Sequence, residues 1–304
     1  MYELGSPLLL VIEVTDKCNL KCVYCYNEFS EKRQKDIDHN SLMKILLEAK
    51  EIGVFDINFC GGEPFSNRNF MNYLELAVEL GFDVTINTNG TLINDKISKR
   101  LMELDLIQHI QVSFDGHTED LNNKTRGKFQ RAYRGFQLLC QEAACRTLSP
   151  SVGIVLSKTN YRHLEEIISH FSTYTNRIHL MNVMGHENLM LDDMDKFILE
   201  KEIIPSIKAI CKKTNTQVTK IHKSQTCNDF LFKKAHVDCL AGHTFLAISS
   251  NLDIFPCDIH RKSVYKWASD GDIMIAHKKA LEEWRSMDKP WCFHDKKCSS
   301  CHGI

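Results

Sequence analysis

The feature that most constrains the fold is a regular alternation of short apolar runs with amphipathic segments along the first two thirds of the chain. Apolar residues recur at helical spacing between the runs, which indicates helices. Such alternation is typical of parallel strands joined by right-handed crossover helices. Six units are fewer than a closed eight-stranded barrel needs, so the sequence predicts an α/β fold with a partial, TIM-like (β/α)6 barrel. The six predicted strands lie within residues 8–14, 54–64, 83–91, 109–116, 148–160 and 177–185.

The character of the sequence changes twice after the sixth strand. Residues 187–213 are amphipathic and predict a helical connector, whereas turns, Cys and His become dense after about residue 235. A chain of 304 residues has room for one domain of about 200 residues and a smaller one. We therefore predict a core over 1–186, a helical connector over 187–234 and a small C-terminal domain over 235–304.

Composition excludes several classes of partner. The 39 acidic and 38 basic residues nearly cancel and form no charged block, which argues against nucleic acid and against a membrane surface. No apolar run approaches the roughly 20 residues that span a bilayer. The stretch SPLLLVIEV is short and has no basic region before it, so it is interpreted as a buried strand rather than a signal peptide. These features predict a cytoplasmic protein.

Thirteen cysteines are present, and their placement is uneven. In a reducing compartment, cysteines more often bind metal or take part in chemistry than form disulfides. Cys18, Cys22 and Cys25 follow the first predicted strand with the spacing C-x3-C-x2-C. Four thiolates would close a structural zinc or iron site, whereas three can hold a [4Fe–4S] cluster and leave one iron open. A zinc site and a chance grouping are the alternatives.

This stretch resembles the signature of the radical S-adenosylmethionine (SAM) superfamily, C-x3-C-x-aromatic-C, with Tyr24 as the aromatic residue. The resemblance implies that SAM chelates the open iron of a [4Fe–4S] cluster. One electron, supplied by a partner such as flavodoxin or ferredoxin, would then cleave SAM to methionine and a 5′-deoxyadenosyl radical. That radical would take a hydrogen atom from the substrate.

Polar motifs after the later strands support the resemblance, because sites on such sheets form at the carboxyl ends of strands. In the family, the CGGEP motif binds the SAM amino group, and later motifs contact the ribose, the methionine part and the SAM carboxylate. Each motif alone would be a plain turn, since Asn-Gly and Asp-Gly are common turn dipeptides. The resemblance implies SAM contacts at Tyr24 (through its backbone), Gly61, Gly62, Glu63, Ser113, Asp115, Arg126 (to the carboxylate) and, as a weaker match, Asn160.

The C-terminal cysteines resemble the auxiliary-cluster domain called SPASM, or its one-cluster form called twitch. The resemblance implies one auxiliary [4Fe–4S] cluster on Cys239, Cys257, Cys298 and Cys301, with Cys292 as an alternative ligand. A structural zinc site on the same four cysteines is the alternative. The predicted fold is thus a partial barrel followed by a small auxiliary-cluster domain.

The tail departs from the family pattern at one position in its predicted hairpin. The pattern has Gly five residues before the second Cys, where this chain has Leu252. Asn tolerates the left-handed conformation better than most residues. We therefore expect Asn251 to adopt it in place of the missing glycine.

Cys227 differs from the other cysteines outside the two groups, because it lies in the polar segment HKSQTCNDF. Some radical SAM epimerases use a thiol to return a hydrogen atom to the substrate radical. The resemblance therefore makes Cys227 a candidate catalytic residue, and a buried or bystander thiol is the alternative.

The resemblance implies an enzyme that modifies a ribosomal peptide or a protein by crosslinking, oxidation or epimerisation. A domain for leader-peptide recognition is not expected, because about ten residues precede the first strand. The peptide would then need a separate recognition protein, or the substrate would be a small natural product that is dehydrogenated or epimerised. An alternative of another class is a non-catalytic iron–sulfur or zinc scaffold. The Glu63, Ser113, Asp115 and Arg126 set argues against the scaffold, which has no need of SAM contacts.

Overall fold

The structure is a computed structural model that describes residues 4–25, 34–143, 150–219, 241–258 and 262–285. Its centre is a sheet in which six parallel strands are neighbours in chain order. All six predicted strands and the α/β class are confirmed. The strands are β1 (Leu9–Glu13), β2 (Asp56–Cys60), β3 (Asp83–Thr88), β4 (Ile107–Ser113), β5 (Ser151–Leu156) and β6 (Arg177–Asn182).

Helices connect these strands and continue after the last of them. Side chains cap several helix starts; Asp38 accepts a hydrogen bond from the Ser41 amide, and Asn94 accepts one from the Ile97 amide. The helices are α1 (His39–Glu51), α2 (Phe70–Glu79), α3 (Asp95–Met102), α4 (Glu119–Asn123), α5 (Phe129–Ala143), α6 (Leu164–Phe171), α7 (Asp193–Ile198), α8 (Ile204–Thr214) and α9 (Asp272–Arg285). Shorter helical turns span Pro64–Ser66, Tyr161–His163, Glu187–Leu189 and, as a π-helix, Leu199–Ile203.

Alternation along the strands gives the sheet two different faces, because successive side chains point to opposite sides. One face is apolar and lies in the main core, as Leu10, Ile57 and Ile110 illustrate. The opposite face is polar on β2 to β4, where half-buried side chains include Asn58, Thr85, Asn87, His109 and Gln111. Burial of the apolar face fixes the strand register, and with it the position of every strand end.

Both edges of the sheet extend beyond the six predicted strands. Strand β7 (Gln217–Thr219) lies parallel to β6, and β8 (Phe245–Ile248) lies parallel to β1. Strands β9 (Asp253–Phe255) and β10 (Tyr265–Lys266) follow in antiparallel order. The described part of the C-terminal region therefore continues the core sheet, and the predicted hairpin before Cys257 is present.

The turn of this hairpin corrects one expectation. Leu252 itself is left-handed, with φ of 69°, and Asn251 is not. The Leu252 amide donates to the Ser249 carbonyl at 2.8 Å, so Asn251 is the third residue of a tight turn. In a common three-residue hairpin loop, the residue that follows the two central residues of the turn adopts the left-handed conformation, and here that residue is Leu252.

A buried carboxylate attaches the C-terminal helix to the core. Glu48 on α1 accepts hydrogen bonds from the Trp267 indole at 2.9 Å and from the Ile273 amide at 2.8 Å. Ile273 lies in the first turn of α9, where amides lack partners within the helix and favour negative charge. Most of the chain between residues 187 and 214 is helical, and the predicted division into a core, a connector over 187–234 and a C-terminal domain stays a prediction. No helix among the described residues is long and apolar enough to cross a membrane.

Candidate cofactor site

The three clustered cysteines lie in the loop that follows β1, at the carboxyl end of the sheet. Cys18, Cys22 and Cys25 are half-buried free thiols, and the Cys25 amide donates to the Cys22 carbonyl at 3.1 Å. Burial raises the pKa of the Cys18 thiol to about 11, and the nearby Glu63 adds to the rise. Burial also raises the pKa of Cys22. Cys18 and Cys22 therefore favour the protonated form at neutral pH, and a bound metal would have to displace those protons.

The glycine pair after β2 holds the backbone of this loop. The Gly62 amide donates to the Thr15 carbonyl at 2.8 Å, and the Glu63 amide donates to the Lys17 carbonyl at 2.8 Å. A Cβ added at Gly61 would lie 2.3 Å from the Thr15 oxygen, and one at Gly62 would lie 2.2 Å from the Lys17 oxygen. Glycine is required because the two backbones touch. The predicted contacts of these glycines with SAM stay a prediction.

Glu63 is 0% exposed and joins the ends of two strands. Its carboxylate accepts hydrogen bonds from the Thr88 hydroxyl and the Asn89 amide, each at 2.7 Å, and from the Phe65 amide at 3.3 Å. Burial raises the pKa of Glu63 to about 7 in spite of these hydrogen bonds. A carboxylate has about four acceptor positions, so these three donors leave one for a further partner.

Asn19, directly after the first cysteine, is a site residue that the sequence analysis missed. Its side-chain oxygen accepts from the Asn89 amide group at 2.9 Å, and its own amide group donates to the Thr91 hydroxyl at 2.7 Å. Its carbonyl accepts from the Lys128 ammonium at 2.7 Å. The signal was present, since Asn89 and Thr91 belong to the sequence NTNGT (87–91), which begins within β3 and continues past its end. That motif reaches the cysteine loop through Asn19.

Asp115, after β4, is 1% exposed and accepts hydrogen bonds from several elements. Its Oδ2 accepts from the Tyr24 hydroxyl and from the Thr125 hydroxyl, the latter at 2.7 Å. Its Oδ1 accepts from the Val155 amide at 3.1 Å and lies 3.3 Å from Nε of Arg126. These partners surround the carboxylate, so the structure gives Asp115 a role in connecting the cysteine loop to β4 and β5.

Arg126 is a buried cation beside the cysteine loop. Its side chain is 11% exposed, its Nη1 donates to Cys22 Sγ at 3.9 Å, and its guanidinium lies over the Tyr24 ring at 5.5 Å. Burial acts to lower the pKa of Arg126, but its acidic neighbours Tyr24, Asp115 and Cys22 outweigh burial and raise it. Nε lies within ion-pair distance of Asp115 Oδ1, at 3.3 Å, but its geometry to the described residues is not that of a hydrogen bond. The cation could therefore also attract an anionic ligand.

Ser113 and Asn160, the last two predicted SAM contacts, differ in whether their polar atoms are available to a ligand. Ser113, at the end of β4, is half-buried, and its hydroxyl makes no hydrogen bond to any residue that the structure describes. Asn160 is 1% exposed, and its amide group donates to the carbonyls of Asp115 at 3.1 Å and Val155 at 2.9 Å. Its oxygen accepts from the Ser157 amide at 2.9 Å. Ser113 can therefore meet a ligand, whereas the polar atoms of Asn160 already bind protein.

The arrangement fits a thiolate-bound cluster with an anionic ligand beside it. Three free thiols, a guanidinium at low exposure and an available hydroxyl lie at neighbouring strand ends. In the described part of the chain, no group of three or more His, Cys, Asp or Glu side chains is placed to hold a single metal ion. In a [4Fe–4S] cluster each thiolate binds a different iron, so the sulfurs need not converge on one point.

The predicted tail ligands lie mostly outside the described residues. This applies to Cys239, Cys292, Cys298 and Cys301, and also to Cys227. Cys257 is described; it follows β9, is half-buried, and donates to the Asp258 carboxylate at 3.4 Å. The auxiliary site and its domain boundary therefore stay predictions.

The model of the radical SAM superfamily matches residues 12–168, just over half of the chain. Among curated proteins, the mycofactocin maturase MftC of Mycobacterium tuberculosis is 30% identical over 173 residues, which cover 56% of this chain and 43% of the relative. The PqqA peptide cyclase of Bradyrhizobium diazoefficiens is 29% identical over 165 residues, which cover 54% of this chain and 43% of the relative. The matched region is thus less than half the length of these relatives.

Solved structures match over more of the chain. SuiB of Streptococcus suis, bound to its precursor peptide SuiA, is similar with a TM-score of 0.74 and 19% identity over 94% of this chain and 68% of that one. At this identity the likeness shows the fold alone.

Proposed function

Because the chain belongs to the radical SAM superfamily, we propose that it is an enzyme in which Cys18, Cys22 and Cys25 hold a [4Fe–4S] cluster with one iron open to SAM. The observation that carries the proposal is the loop of three free thiols, held by the ends of β2 to β4 beside the buried Arg126. When bound, the cluster would supply the electron that cleaves SAM to a hydrogen-abstracting 5′-deoxyadenosyl radical.

The protein's own residues would bind and orient SAM. Arg126 would meet the SAM carboxylate, because its positive charge lies at low exposure beside the cysteine loop. Ser113 would donate its available hydroxyl to the ribose or methionine part, and the Tyr24 backbone would lie against the adenine. Glu63 would offer its remaining acceptor position to the SAM amino group. Asp115 and Asn160 would hold these residues in place, since protein donors and acceptors already occupy them.

Removing all three thiols tests this proposal. We expect Cys18→Ala, Cys22→Ala and Cys25→Ala, combined in one variant, to lose about four irons per chain and to form no 5′-deoxyadenosine with dithionite and SAM. Cys140→Ala is the control, because Cys140 packs against the core from α5. Wild-type amounts of 5′-deoxyadenosine from the triple variant would contradict the assignment.

We further propose one auxiliary [4Fe–4S] cluster on Cys239, Cys257, Cys298 and Cys301, with Cys292 as the alternative ligand. The wild type should then carry about eight irons per chain and the triple variant about four. About four irons in the wild type, together with zinc, would make the tail site structural. About twelve irons would require a second auxiliary cluster.

For the substrate we propose a ribosomally made peptide. The supporting observation is that relatives of this chain are named as a mycofactocin maturase and a PqqA peptide cyclase, and that SuiB was solved with a precursor peptide. The test is incubation with a short peptide encoded beside the gene, followed by mass spectrometry. Unchanged peptide mass in both ordinary and deuterated water, with 5′-deoxyadenosine still formed, would favour a small natural product instead.

Cys227 gives this proposal a second readout. If the reaction inverts a stereocentre and Cys227 returns the hydrogen atom, product made in deuterated water gains one deuterium, because thiols exchange with solvent. Crosslinking or oxidation would add none, and Cys227→Ala would then be nearly silent. We favour the latter outcome, with the auxiliary cluster as electron acceptor. The proposed setting is the reducing cytoplasm, with flavodoxin or ferredoxin as reductant and a separate leader-peptide recognition protein as a further partner.

A further inference from the structure

We propose that Arg126 donates a hydrogen bond to the Cys22 thiolate and raises the reduction potential of the bound cluster, and that Asp115 is the positioning residue that holds Arg126 there. The inference rests on the proposed [4Fe–4S] cluster. It assigns to Arg126 a second role besides SAM binding, and to Asp115 a role in place of a direct SAM contact.

The first step is the contact between the guanidinium and the sulfur. Nη1 of Arg126 lies 3.9 Å from Cys22 Sγ, a long but allowed distance for a donor to sulfur. Metal binding removes the thiol proton, which leaves the sulfur as an anionic acceptor. A hydrogen bond with two charged partners is shorter and stronger than a neutral one. The contact should therefore tighten in the cluster-loaded protein.

The second step is that Arg126 has little freedom to leave this position. Asp115 lies on one side of it, with Oδ1 3.3 Å from Nε, and the Tyr24 ring lies under the guanidinium. Asp115 is itself held by the Tyr24 and Thr125 hydroxyls and by the Val155 amide. Tyr24 and Cys22 belong to the same loop. The contacts of Arg126 with Asp115 and Tyr24 therefore align its guanidinium with the loop that would bind the cluster.

The third step concerns the electron. Reduction adds one negative charge to the cluster, and hydrogen bonds to the sulfurs are among the factors that set its potential. A fixed cation at low exposure stabilises the reduced form more than an exposed one, since water screens it less. Arg126 should therefore favour the reduced cluster before SAM arrives.

The test is a redox titration of the cluster-loaded protein without SAM, followed by electron paramagnetic resonance. Subtracting the spectrum of the Cys18, Cys22 and Cys25 triple variant isolates the signal of the core cluster. For Arg126→Gln we expect the ratio of reduced to oxidised cluster at a fixed potential to fall about tenfold, which corresponds to about 59 mV for one electron. Arg126→Lys keeps the charge but not the planar guanidinium. Its reduction potential should lie between those of the wild type and Arg126→Gln.

Asp115→Asn should lower the potential, as Arg126→Gln does, because Arg126 loses its position. Loss of the carboxylate charge alone would raise the potential, so a fall reports the displacement of Arg126. The potential of the combined variant should shift no further than that of Arg126→Gln alone, because both substitutions remove the same contact, the one between Arg126 and Cys22. If Asp115→Asn fails to fold or to bind iron, Tyr24→Phe replaces it, since it keeps the ring and removes one donor to Asp115. The control is Arg100→Gln, at an exposed ion pair with Glu75 and Glu103; its potential should equal that of the wild type.

Two results would overturn the inference. An unchanged potential in Arg126→Gln would remove the role of Arg126, and fully additive shifts would remove the coupling to Asp115. Absence of any core cluster signal in the wild type would overturn the proposed function as well, so the two failures are distinguishable.

Discussion

The cysteine loop and the C-terminal hairpin both attach to the sheet near β1, but different forces hold them. The loop over residues 14–25 is held by polar contacts from three successive strand ends, among them those of Gly62, Asn89 and Asp115. The hairpin and α9 are held by strand pairing with β1, by apolar packing and by the buried Glu48. The loop therefore depends on backbone fit and hydrogen bonds, and the tail depends on its core.

This difference predicts how each region fails. A loop held by close backbone contacts tolerates no added atom, but it buries little apolar surface. A packed hairpin tolerates small changes at its turn and fails when a buried side chain or a buried acceptor is removed. Four substitutions separate these behaviours.

Gly62→Ala should have the largest effect. Its Cβ would lie 2.2 Å from the Lys17 oxygen and 2.6 Å from the Lys17 carbonyl carbon, both backbone atoms that cannot rotate away. We expect about 3 kcal/mol loss in the free energy of unfolding of the cluster-free protein, and a loss of core iron. Gly5→Ala is the control, because no atom lies within 4 Å of its Cβ. Normal iron content in Gly62→Ala would show that the loop adapts.

Glu63 should make the stability of the loop region depend on pH. Its folded-state pKa is raised from 4.5 to about 7, mainly by burial, so its protonated form favours folding. The stabilisation is complete below pH 4.5 and is lost as the pH rises to about 7, a change of roughly 3 kcal/mol for a shift of this size.

Glu63→Gln removes that titration. The difference in unfolding free energy between the wild type and Glu63→Gln should therefore move in favour of the variant as the pH rises. Denaturant titrations of the cluster-free proteins at several pH values measure it. A difference that is constant with pH would mean that the pKa of Glu63 is the same in the folded and the unfolded protein.

The two regions also differ in how much of them the sequence could predict. The six strands, the position of the cysteines and the strand-end motifs could be predicted, because local sequence patterns encode them. The roles of individual residues within the site could be predicted less well. Asp115 and Asn160 look like ligand residues in their motifs, but only three-dimensional contacts show that protein donors and acceptors surround them.

The sequence did not predict how the C-terminal hairpin and α9 attach to the core. Glu48 lies within an ordinary amphipathic helix, and its partners Trp267 and Ile273 are more than two hundred residues away in the chain. The pairing of β8 with β1 is a contact of the same kind. Leu252 was missed for a local reason, since residue preference pointed to Asn251, whereas the geometry of the turn requires the next residue.

Glu48→Ala should weaken the tail more than the loop. It leaves the Trp267 indole and the Ile273 amide buried without their acceptor, which should cost about 2 kcal/mol. We expect increased exposure of Trp267 to a fluorescence quencher while the core iron is retained. Glu51→Ala on the same helix is the control, because Glu51 is exposed. Loss of core iron in Glu48→Ala would show that the two regions are coupled.

Leu252→Gly should have the smallest effect, and it tests whether the hairpin turn is strained. At φ of 69°, Leu252 occupies a conformation that costs a non-glycine residue about 1 kcal/mol. Glycine relieves that cost but removes a half-buried side chain that packs against the core, so the net change should stay within about 1 kcal/mol. The same substitution at the fully buried Leu246 should cost more than about 3 kcal/mol, since it relieves no strain and leaves a cavity. Denaturant unfolding of both variants measures the contrast. Equal losses would mean that packing alone decides the stability of the tail and that its left-handed leucine is not strained.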